Sequence, residues 1–319
     1  MLKKTIKSSL RKIIIASLTL LVLIIIYFFP KNDNHISESL TYVKTTEMPI
    51  FLVDKNNYVA RTTIIKNSND IEDMIKEIID SLTIEGKKSS YIRNNFKAII
   101  PKNTRLITFD LKDGLLKLNF SKELLNVSKE NEEKMIESLI YSLTEIDNVK
   151  KIMIFVESKQ LTTLPKSLKK LPNLLDKSYG INKVYNLDSI KDTSKTTIYY
   201  LSKDKDFYYY VPVTSIINDK TEPVEIIINN LKSSPVYQTN LISYLQASAN
   251  LLSYEILEDS ISLSFNNKIL ANLDDKNILE EVKYSIALSI RDTYNIKNVI
   301  FNVDNEKVAE VVAQKNISK

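Results

Sequence analysis

Residues 107–120, ITFDLKDGLLKLNF, decide the fold of this chain. Two runs in which apolar and polar residues alternate flank the dipeptide Asp113-Gly114, and this pattern predicts a β-hairpin with one buried face. Residues 252–265, LSYEILEDSISLSF, repeat the alternation about 145 positions later. We therefore interpret the chain of 319 residues as two copies of one structural unit.

Each copy places the same further elements around this hairpin. The apolar spacing predicts a first hairpin, a first helix, a second helix and a closing strand, at residues 50–65, 71–82, 129–146 and 152–156 in the first copy and at 198–214, 223–231, 279–290 and 299–303 in the second. Ser68, Asn69 and Asp70 are candidate caps of the first helix, and Pro223 suits the opening turn of its counterpart. The order predicts an α+β domain of two layers, in which two helices cover one face of a mixed β-sheet.

The chain is predicted to have four parts. Residues 1–30 form a basic tip and a membrane anchor, residues 31–47 a linker, residues 48–190 the first domain with a C-terminal extension, and residues 195–314 the second domain. The extension lacks the glycine and serine content of a flexible linker and retains apolar residues, so we expect it to pack against the first domain.

The amino-terminal segment is predicted to cross a membrane once. Its apolar run approaches the ~20 residues that a transmembrane helix needs. The anchor residues are Ile13, Ile14, Ile15, Leu20, Leu21, Leu23, Ile24, Ile25, Ile26, Phe28 and Phe29. Basic residues precede the run, so the positive-inside rule places the amino terminus in the cytoplasm and the bulk of the chain outside.

A buried core helix and a cleaved signal peptide are the two alternatives to this anchor. No polar face interrupts the run, which disfavours a core helix. The sequence Tyr27-Phe28-Phe29-Pro30 offers no pair of small residues for signal cleavage. An uncleaved anchor is therefore the prediction.

Composition excludes several classes of function. The absence of cysteine excludes a disulfide framework, a thiolate nucleophile and a lipid-modified cysteine. One histidine, His35, and three glycines leave no histidine cluster for a metal and no glycine-rich phosphate loop. The net charge of +5 equals the charge of the basic tip, so no nucleic-acid-binding surface is predicted. We predict no catalytic, cofactor-binding or metal-binding residue.

The duplicated pattern resembles the sporulation and spore-germination protein family that is built from tandem GerMN domains. The likeness rests on Ile100-Pro101-Lys102-Asn103-Thr104, Asp113-Gly114, Leu118-Asn119-Phe120-Ser121 and Tyr179-Gly180-Ile181-Asn182, and it spans about residues 48 to 312. The second copy departs from the pattern, with Gln246 and Ala249 in place of Pro101 and Thr104 and with Glu258-Asp259 in place of Asp113-Gly114. Functions tied to that loop are therefore not carried into the second copy.

The resemblance implies a structural role in endospore formation, outside the membrane and between the mother cell and the forespore. It also implies domains similar to the ring-building modules of secretion and sporulation channels, which associate side by side. The expected partners are the membrane, proteins of a sporulation complex and further copies of this chain, with no nucleic acid and no cofactor. Because a lipobox cysteine is absent, the transmembrane helix takes over the anchoring.

An aromatic patch is the candidate interaction site. Tyr200, Tyr208 and Tyr210 lie in the first hairpin of the second copy, and aromatic residues are enriched at protein interfaces. Alternation along a strand sends neighbouring side chains to opposite faces, so part of the patch is expected to be core. The patch also supports an alternative function, a cell-wall module that recognises peptidoglycan.

Charged clusters are interpreted as structural. The acid pairs Glu132-Glu133, Asp274-Asp275 and Glu280-Glu281 are of the kind that a hydrolase of the spore cortex, the third function class, requires. All lie near the first turns of predicted helices, where carboxylates complement the helix dipole. The lysine-rich stretch 166–170 is interpreted as solvated surface in preference to a site for lipid headgroups or anionic wall polymer.

Overall fold

The computed structural model describes residues 17–21, 47–88, 92–187, 191, 193–205, 207–218, 220–233, 239–274 and 276–313. The chain divides into two compact units, Met1–Lys44 and Thr45–Lys319. In the first unit, the described residues 17–21 are helical and exposed. Both copies of the repeated pattern lie in the second unit.

The predicted membrane anchor lies almost entirely outside the described residues. Of its residues, Leu20 and Leu21 are described, and both are exposed. Within the described ranges, no helix combines the length and the apolar character that crossing a bilayer requires. Ile13, Ile14, Ile15, Leu23, Ile24, Ile25, Ile26, Phe28 and Phe29 fall outside those ranges. The anchor therefore stays a prediction.

The helices and strands follow the same order in both copies, except for two short strands of the first copy that have no described counterpart in the second. The first copy consists of β1 (Glu47–Asp54), β2 (Val59–Ile65), α1 (Ile71–Leu82), β3 (Phe96–Lys97), β4 (Leu106–Lys112), β5 (Leu115–Phe120), α2 (Glu132–Leu143), β6 (Lys151–Val156) and β7 (Lys159–Gln160), and β8 (Val184–Asn186) lies in its extension. The second copy consists of β9 (Ser194–Asp204), β10 (Phe207–Ile217), α3 (Pro223–Lys232), β11 (Leu251–Ile256), β12 (Ser260–Phe265), α4 (Glu280–Tyr294), β13 (Asn298–Val303) and β14 (Glu306–Val312).

Helix α1 shows why the local predictions hold. The carboxylate of Asp70 accepts hydrogen bonds from the backbone N–H groups of Glu72 and Asp73, so it caps the helix as its position predicts. Ile75, Ile78 and other apolar residues at helical spacing face the core. One amphipathic stripe and one cap therefore suffice to place this helix.

Each copy contains one mixed four-stranded sheet with the same connectivity. The sheets have the orders β4-β5-β6-β7 and β11-β12-β13-β14, with a parallel pair at the centre and antiparallel pairs outside. Leu118 faces Ile154 in the first parallel pair, and Leu263 faces Phe301 in the second. The α+β class with mixed sheets is confirmed. The fourth strands, β7 and β14, follow tight turns and were not predicted.

The two edge strands share an irregularity that underlines the duplication. The register of β4 on β5 shifts between Leu106 and Thr108, and that of β11 on β12 shifts between Leu251 and Ser253. The extra residue of each β-bulge, at position 107 or 252, lies outside the regular ladder.

The first hairpins do not join the mixed sheets. They join each other in a six-stranded central sheet of order β3-β1-β2-β10-β8, with β9 pairing to β10. Strands β2 and β10 meet where Tyr210 pairs with Arg61. An isolated hairpin leaves two unpaired strand edges, and this pairing removes one edge from each hairpin.

Helices α2 and α4 are sandwiched between sheets, so the predicted arrangement of two layers is wrong. Helix α2 contacts β1 and β6, and α4 contacts β9 and β13. Residues 135–143 and 285–291 are buried all round, as expected for a helix that is covered on both sides. The N–H groups of Phe51 and Tyr199 donate to Ser142 Oγ and Ser289 Oγ, each over 2.9 Å. These matching serines hold each helix against the central sheet.

Candidate functional site

A buried network of charged side chains joins the two copies. Glu145 and Asp292 occupy equivalent positions, three residues after the matching serines, and the side chain of each is 1% exposed. Arg291 donates to both carboxylate oxygens of Glu145, over 3.2 Å and 2.9 Å. Lys177 Nζ, from the extension of the first copy, lies 2.7 Å from Glu145 Oε1 and 2.7 Å from Asp292 Oδ1. The network thus ties both copies and the extension together.

The cations of this network keep its carboxyl groups ionised. Burial acts to raise the pKa of Asp292, but the charges of Arg291 and Lys177 outweigh it and hold that pKa well below its usual range. The pKa of Glu145 is lowered by the same two cations against the same opposing effect of burial. Tyr199 adds a hydrogen bond from its hydroxyl to Asp292 Oδ2 over 2.5 Å.

These pKa shifts predict how stability depends on pH. Because the folded-state pKa of Asp292 is depressed, its contribution to stability is complete above the unfolded-state pKa of about 4 and is lost as the pH falls. The difference in unfolding free energy between the wild type and Asp292→Asn should therefore narrow below pH ~4, by up to about 1.4 kcal/mol per pH unit. Urea unfolding followed by circular dichroism at pH 7, 4 and 3 measures this difference. Asp147→Asn, at an exposed residue, is the control, and a constant difference for Asp292→Asn contradicts the prediction.

The segment Tyr179-Gly180-Ile181-Asn182 forms a turn that clasps the central sheet. Gly180 has a φ of +84°, which side chains disfavour, and a Cβ atom there would lie 3.1 Å from the side chain of Thr214, which would have to shift. The N–H of Ile181 donates to Thr214 Oγ1 over 2.9 Å, and the N–H of Thr214 donates to the carbonyl of Ile181 over 2.8 Å. The turn is thereby fixed to β10.

The amide of Asn182 completes the junction between the two hairpins. In the register set by Tyr210 and Arg61, Val59 and Pro212 face each other, but proline has no N–H to donate. Asn182 Oδ1 accepts from Val59 N over 2.9 Å, and Nδ2 donates to the carbonyls of Val59 and Pro212 over 2.8 Å and 2.7 Å. The side chain thus replaces a rung of the ladder between β2 and β10.

The acid pair Glu132-Glu133 has structural partners. Glu132 accepts hydrogen bonds from the backbone N–H groups of Lys166 and Ser167, both over 2.7 Å, and so orders the start of the lysine-rich stretch. Glu133 pairs with Lys169 and Lys183. Asp275 lies outside the described residues. Across the described ranges, no three histidine, aspartate or glutamate side chains are grouped so that they could hold a metal ion.

The aromatic patch is divided between two faces of the hairpin. Tyr200 pairs with Val211, on the face opposite Tyr210, and is 4% exposed because it packs in the core. Tyr208 and Tyr210 are partly exposed. The hydroxyl of Tyr208 lies 3.1 Å from that of Tyr244, a residue that sequence reasoning missed. Binding by the patch stays a prediction, for which Tyr208 and Tyr210 are the residues at the surface.

Each copy also carries a surface groove between its first helix and the edge strand of its mixed sheet. The groove between α1 and β4 has a volume of about 530 Å³, and that between α3 and β11 about 580 Å³. Residues at equivalent positions line them: Lys76, Asp80 and Phe109 in the first, and Glu225, Asn229 and Tyr254 in the second. Within the described ranges, neither β4 nor β11 has a strand on its outer side. The duplication has therefore preserved a groove as well as a fold.

Comparison with known proteins supplies the family. A sequence profile described as "Germane: Sporulation and spore germination" matches residues 25–162 and 197–309. The chain belongs to the Germane family. Among Germane relatives, it is 29% identical over 276 residues to the spore germination protein GerM of Bacillus subtilis (strain 168), which covers 85% of this chain and 74% of that protein.

A solved Germane structure has the same tandem arrangement. The structure described as tandem GerMN domains of the sporulation protein GerM from Bacillus subtilis matches with a TM-score of 0.78 and 26% identity, over 86% of this chain and 99% of that one. The predicted resemblance to tandem GerMN domains is thereby confirmed.

The residues that carried the Germane resemblance have identifiable structural roles. Asp113 and Gly114 adopt φ angles of 51° and 82° at the tip of the central hairpin, and Gly180 and Asn182 form the clasp. Sequence reasoning missed the buried charge network. The sequence does contain a signal for this network. Glu145 and Asp292 each follow a serine by three residues, Ser142 in α2 and Ser289 in α4.

Proposed function

We propose that this chain is a membrane-anchored, non-enzymatic assembly protein that acts in sporulation and spore germination through protein-protein contacts. Its amino terminus lies in the cytoplasm, one helix crosses the membrane, and the two GerMN domains lie outside, between the mother cell and the forespore. Membership of the Germane family supports the biological process.

The observation that carries the proposal is the junction between the two domains. The central sheet, the clasp of Asn182 and the buried pairs of Arg291 and Lys177 hold the domains as one compact unit. A rigid body presents its surfaces to partners in a fixed relation. An anchor confines such bodies to a plane and raises their effective concentration, so weak lateral contacts suffice for assembly.

Reconstitution tests this function. The full-length chain in liposomes should give cross-linked multimers at a lower protein density than a variant without residues 1–30 in solution, because only the former is confined to a plane. A tagged copy should localise around the forespore in sporulating cells. Equal cross-linking with and without the anchor, or uniform expression in vegetative cells, would contradict the proposal.

Wall binding is the second candidate function, and one surface cluster favours it. Tyr208 and Tyr244 meet with their ring centroids 6.1 Å apart, and Lys203 Nζ lies 5.0 Å from the Tyr208 ring centroid. Such a cluster offers stacking and a cation to a glycan that carries carboxylates. Retention on insoluble peptidoglycan that Tyr208→Ala and Tyr210→Ala abolish, and that Tyr185→Ala at another exposed position preserves, would favour this function over assembly.

A further inference from the structure

The extension of the first domain presents lysines and leucines to solvent side by side. Residues 158–175 contain four lysines and no acidic residue. Between residues 166 and 174, the exposed side chains include Lys166, Leu168, Lys170 and Leu174. Cationic and apolar side chains therefore share one exposed stretch.

Hydrogen bonds fix the tip of this stretch. The buried carboxylate of Glu132 accepts from the N–H groups of Lys166 and Ser167, both over 2.7 Å. The N–H of Leu168 donates to the carbonyl of Leu164 over 3.0 Å. The tip is therefore held in one conformation, and its side chains are presented at fixed places.

Packing in the core does not account for Leu168. Its side chain is 73% exposed, and its φ of 60° lies in the left-handed region, where glycine and asparagine are favoured over leucine. Folding of the loop alone would thus select another residue. An apolar side chain held out at such a tip, beside lysines, is typical of a surface that binds a partner.

A hollow of about 450 Å³ continues this surface to the edge of the central sheet. Its lining includes Lys170, Leu174, Tyr185 and Lys195. An acid in the lining, Asp176, pairs with Lys151 over 3.7 Å. Within the described part of the chain, Lys166, Lys170 and Lys195 form no salt bridge, and Lys195 donates to a backbone carbonyl. The charges of these three lysines are therefore available to an anionic partner.

Together these side chains form a basic apolar face, which consists of Lys166, Leu168, Lys170, Leu174, Tyr185 and Lys195. We propose that this face docks on the surface of a lipid bilayer that carries anionic headgroups. Its leucines enter the headgroup region, and its lysines lie beside the phosphates. Charge complementarity selects an anionic surface. The leucines select lipid, because a hydrophilic wall polymer would leave them in water.

The face is a second membrane contact besides the proposed anchor. A few lysines and leucines bind a bilayer weakly by themselves, and stable attachment takes more than one such signal. Because the anchor already holds the chain at a membrane, weak docking suffices to fix the orientation of the two domains. The inference rests on the proposed function in one respect, that the chain lies at a membrane.

Capture of vesicles by the full-length chain tests the proposal. The chain is held in nanodiscs of phosphatidylcholine, so that its predicted anchor does not reach the vesicles. Sucrose-loaded vesicles are then added, either of pure phosphatidylcholine or with phosphatidylglycerol as about one third of the lipid, and are sedimented. The anionic vesicles should bind the chain more tightly by about tenfold or more.

Two substitutions and a matched control make the test specific. Leu168→Asn should weaken capture about tenfold, and asparagine suits the φ of this position, so circular dichroism should show unchanged folding. Lys170→Gln should weaken capture about fivefold. The control combines Leu273→Asn, at a leucine that is 61% exposed, with Lys268→Gln, at an exposed lysine of the same copy. It should change capture by less than about twofold.

Three results would overturn the proposal. The first is equal capture of the two kinds of vesicle. The second is unchanged capture by Leu168→Asn, which would show a surface that reads charge alone and suits a wall polymer. The third is a dimer that dissociates in that variant, since a second copy would then cover the face; sedimentation velocity of the nanodiscs detects it.

The proposed function fails separately. Vesicle capture without multimers on liposomes would overturn only the assembly role, and multimers without vesicle capture would overturn only the docking of this face.

Discussion

Replacement of Arg291 by methionine is expected to lower the free energy of unfolding by about 3–5 kcal/mol. Methionine fills a similar volume, so the effect comes from charge and not from a cavity. Without the guanidinium, Glu145 and Asp292 remain buried with Lys177 as their nearest cation. Removal of one partner from a buried ion pair is strongly destabilising because the desolvated partner loses its compensation.

Urea unfolding at pH 7 measures this effect, and the chain provides a matched control. Lys297 pairs with Asp147 over 3.7 Å, but their side chains are 61% and 73% exposed. Lys297→Met should therefore change the unfolding free energy by less than about 1 kcal/mol. Similar losses in both variants would show that the buried network does not hold the two domains together.

A second variant tests whether the loss of stability in Arg291→Met comes from a buried carboxylate that has lost its cation. In Arg291→Met combined with Glu145→Gln, one of the two buried carboxylates becomes neutral. The double variant should be more stable than Arg291→Met alone, because the remaining Lys177 then compensates Asp292.

The sequence is sufficient to predict each helix or strand in which apolar residues recur with a clear helical or strand spacing. The alternation in residues 107–120 and 252–265 reports a strand pair with one buried face, and the spacing in residues 71–82 reports an amphipathic helix. Strands β7 and β14 are not predicted from the sequence. Each follows a tight turn after β6 or β13, and the pattern indicates β6 and β13 as the last strands of their sheets.

The central sheet was beyond local reasoning. Nothing near Arg61 or Tyr210 specifies that they pair across the domains, because any strand edge can accept any other. The sequence does contain a signal for the burial of α2 and α4 on all sides. Most residues in 135–143 and 285–291 are apolar or small, on every face of each helix. The spacing of the large apolar residues in these helices indicates one buried face. It therefore favours a domain of two layers, in which the helices cover one face of a sheet.

The surface grooves cannot be predicted without knowing which strands lie at the edges of the sheets. The grooves lie beside β4 and β11, and their position as edge strands follows only from the strand order. Tyr200 was grouped with Tyr208 and Tyr210 by composition, although the pairing of Tyr200 with Val211 places it on the opposite face.

Asn182→Ala is the second substitution with a large expected effect, a loss of about 4 kcal/mol in the free energy of unfolding. Three backbone groups lose their partners: the N–H and the carbonyl of Val59 and the carbonyl of Pro212. Val59 is fully buried, so water does not replace the amide readily, and each unsatisfied group costs about 1 kcal/mol or more. The remaining cost arises because alanine disfavours the φ of 45° that Asn182 adopts.

Asn305→Ala isolates the contribution of the backbone angle. Asn305 is exposed and has a φ of 61°, so its replacement should cost about 1 kcal/mol. Equal losses in the two variants would mean that the amide of Asn182 contributes nothing to the junction. A larger loss in Asn182→Ala, together with a second unfolding transition in urea, is the expected result, because this side chain and the pair of Arg61 and Tyr210 join β2 to β10.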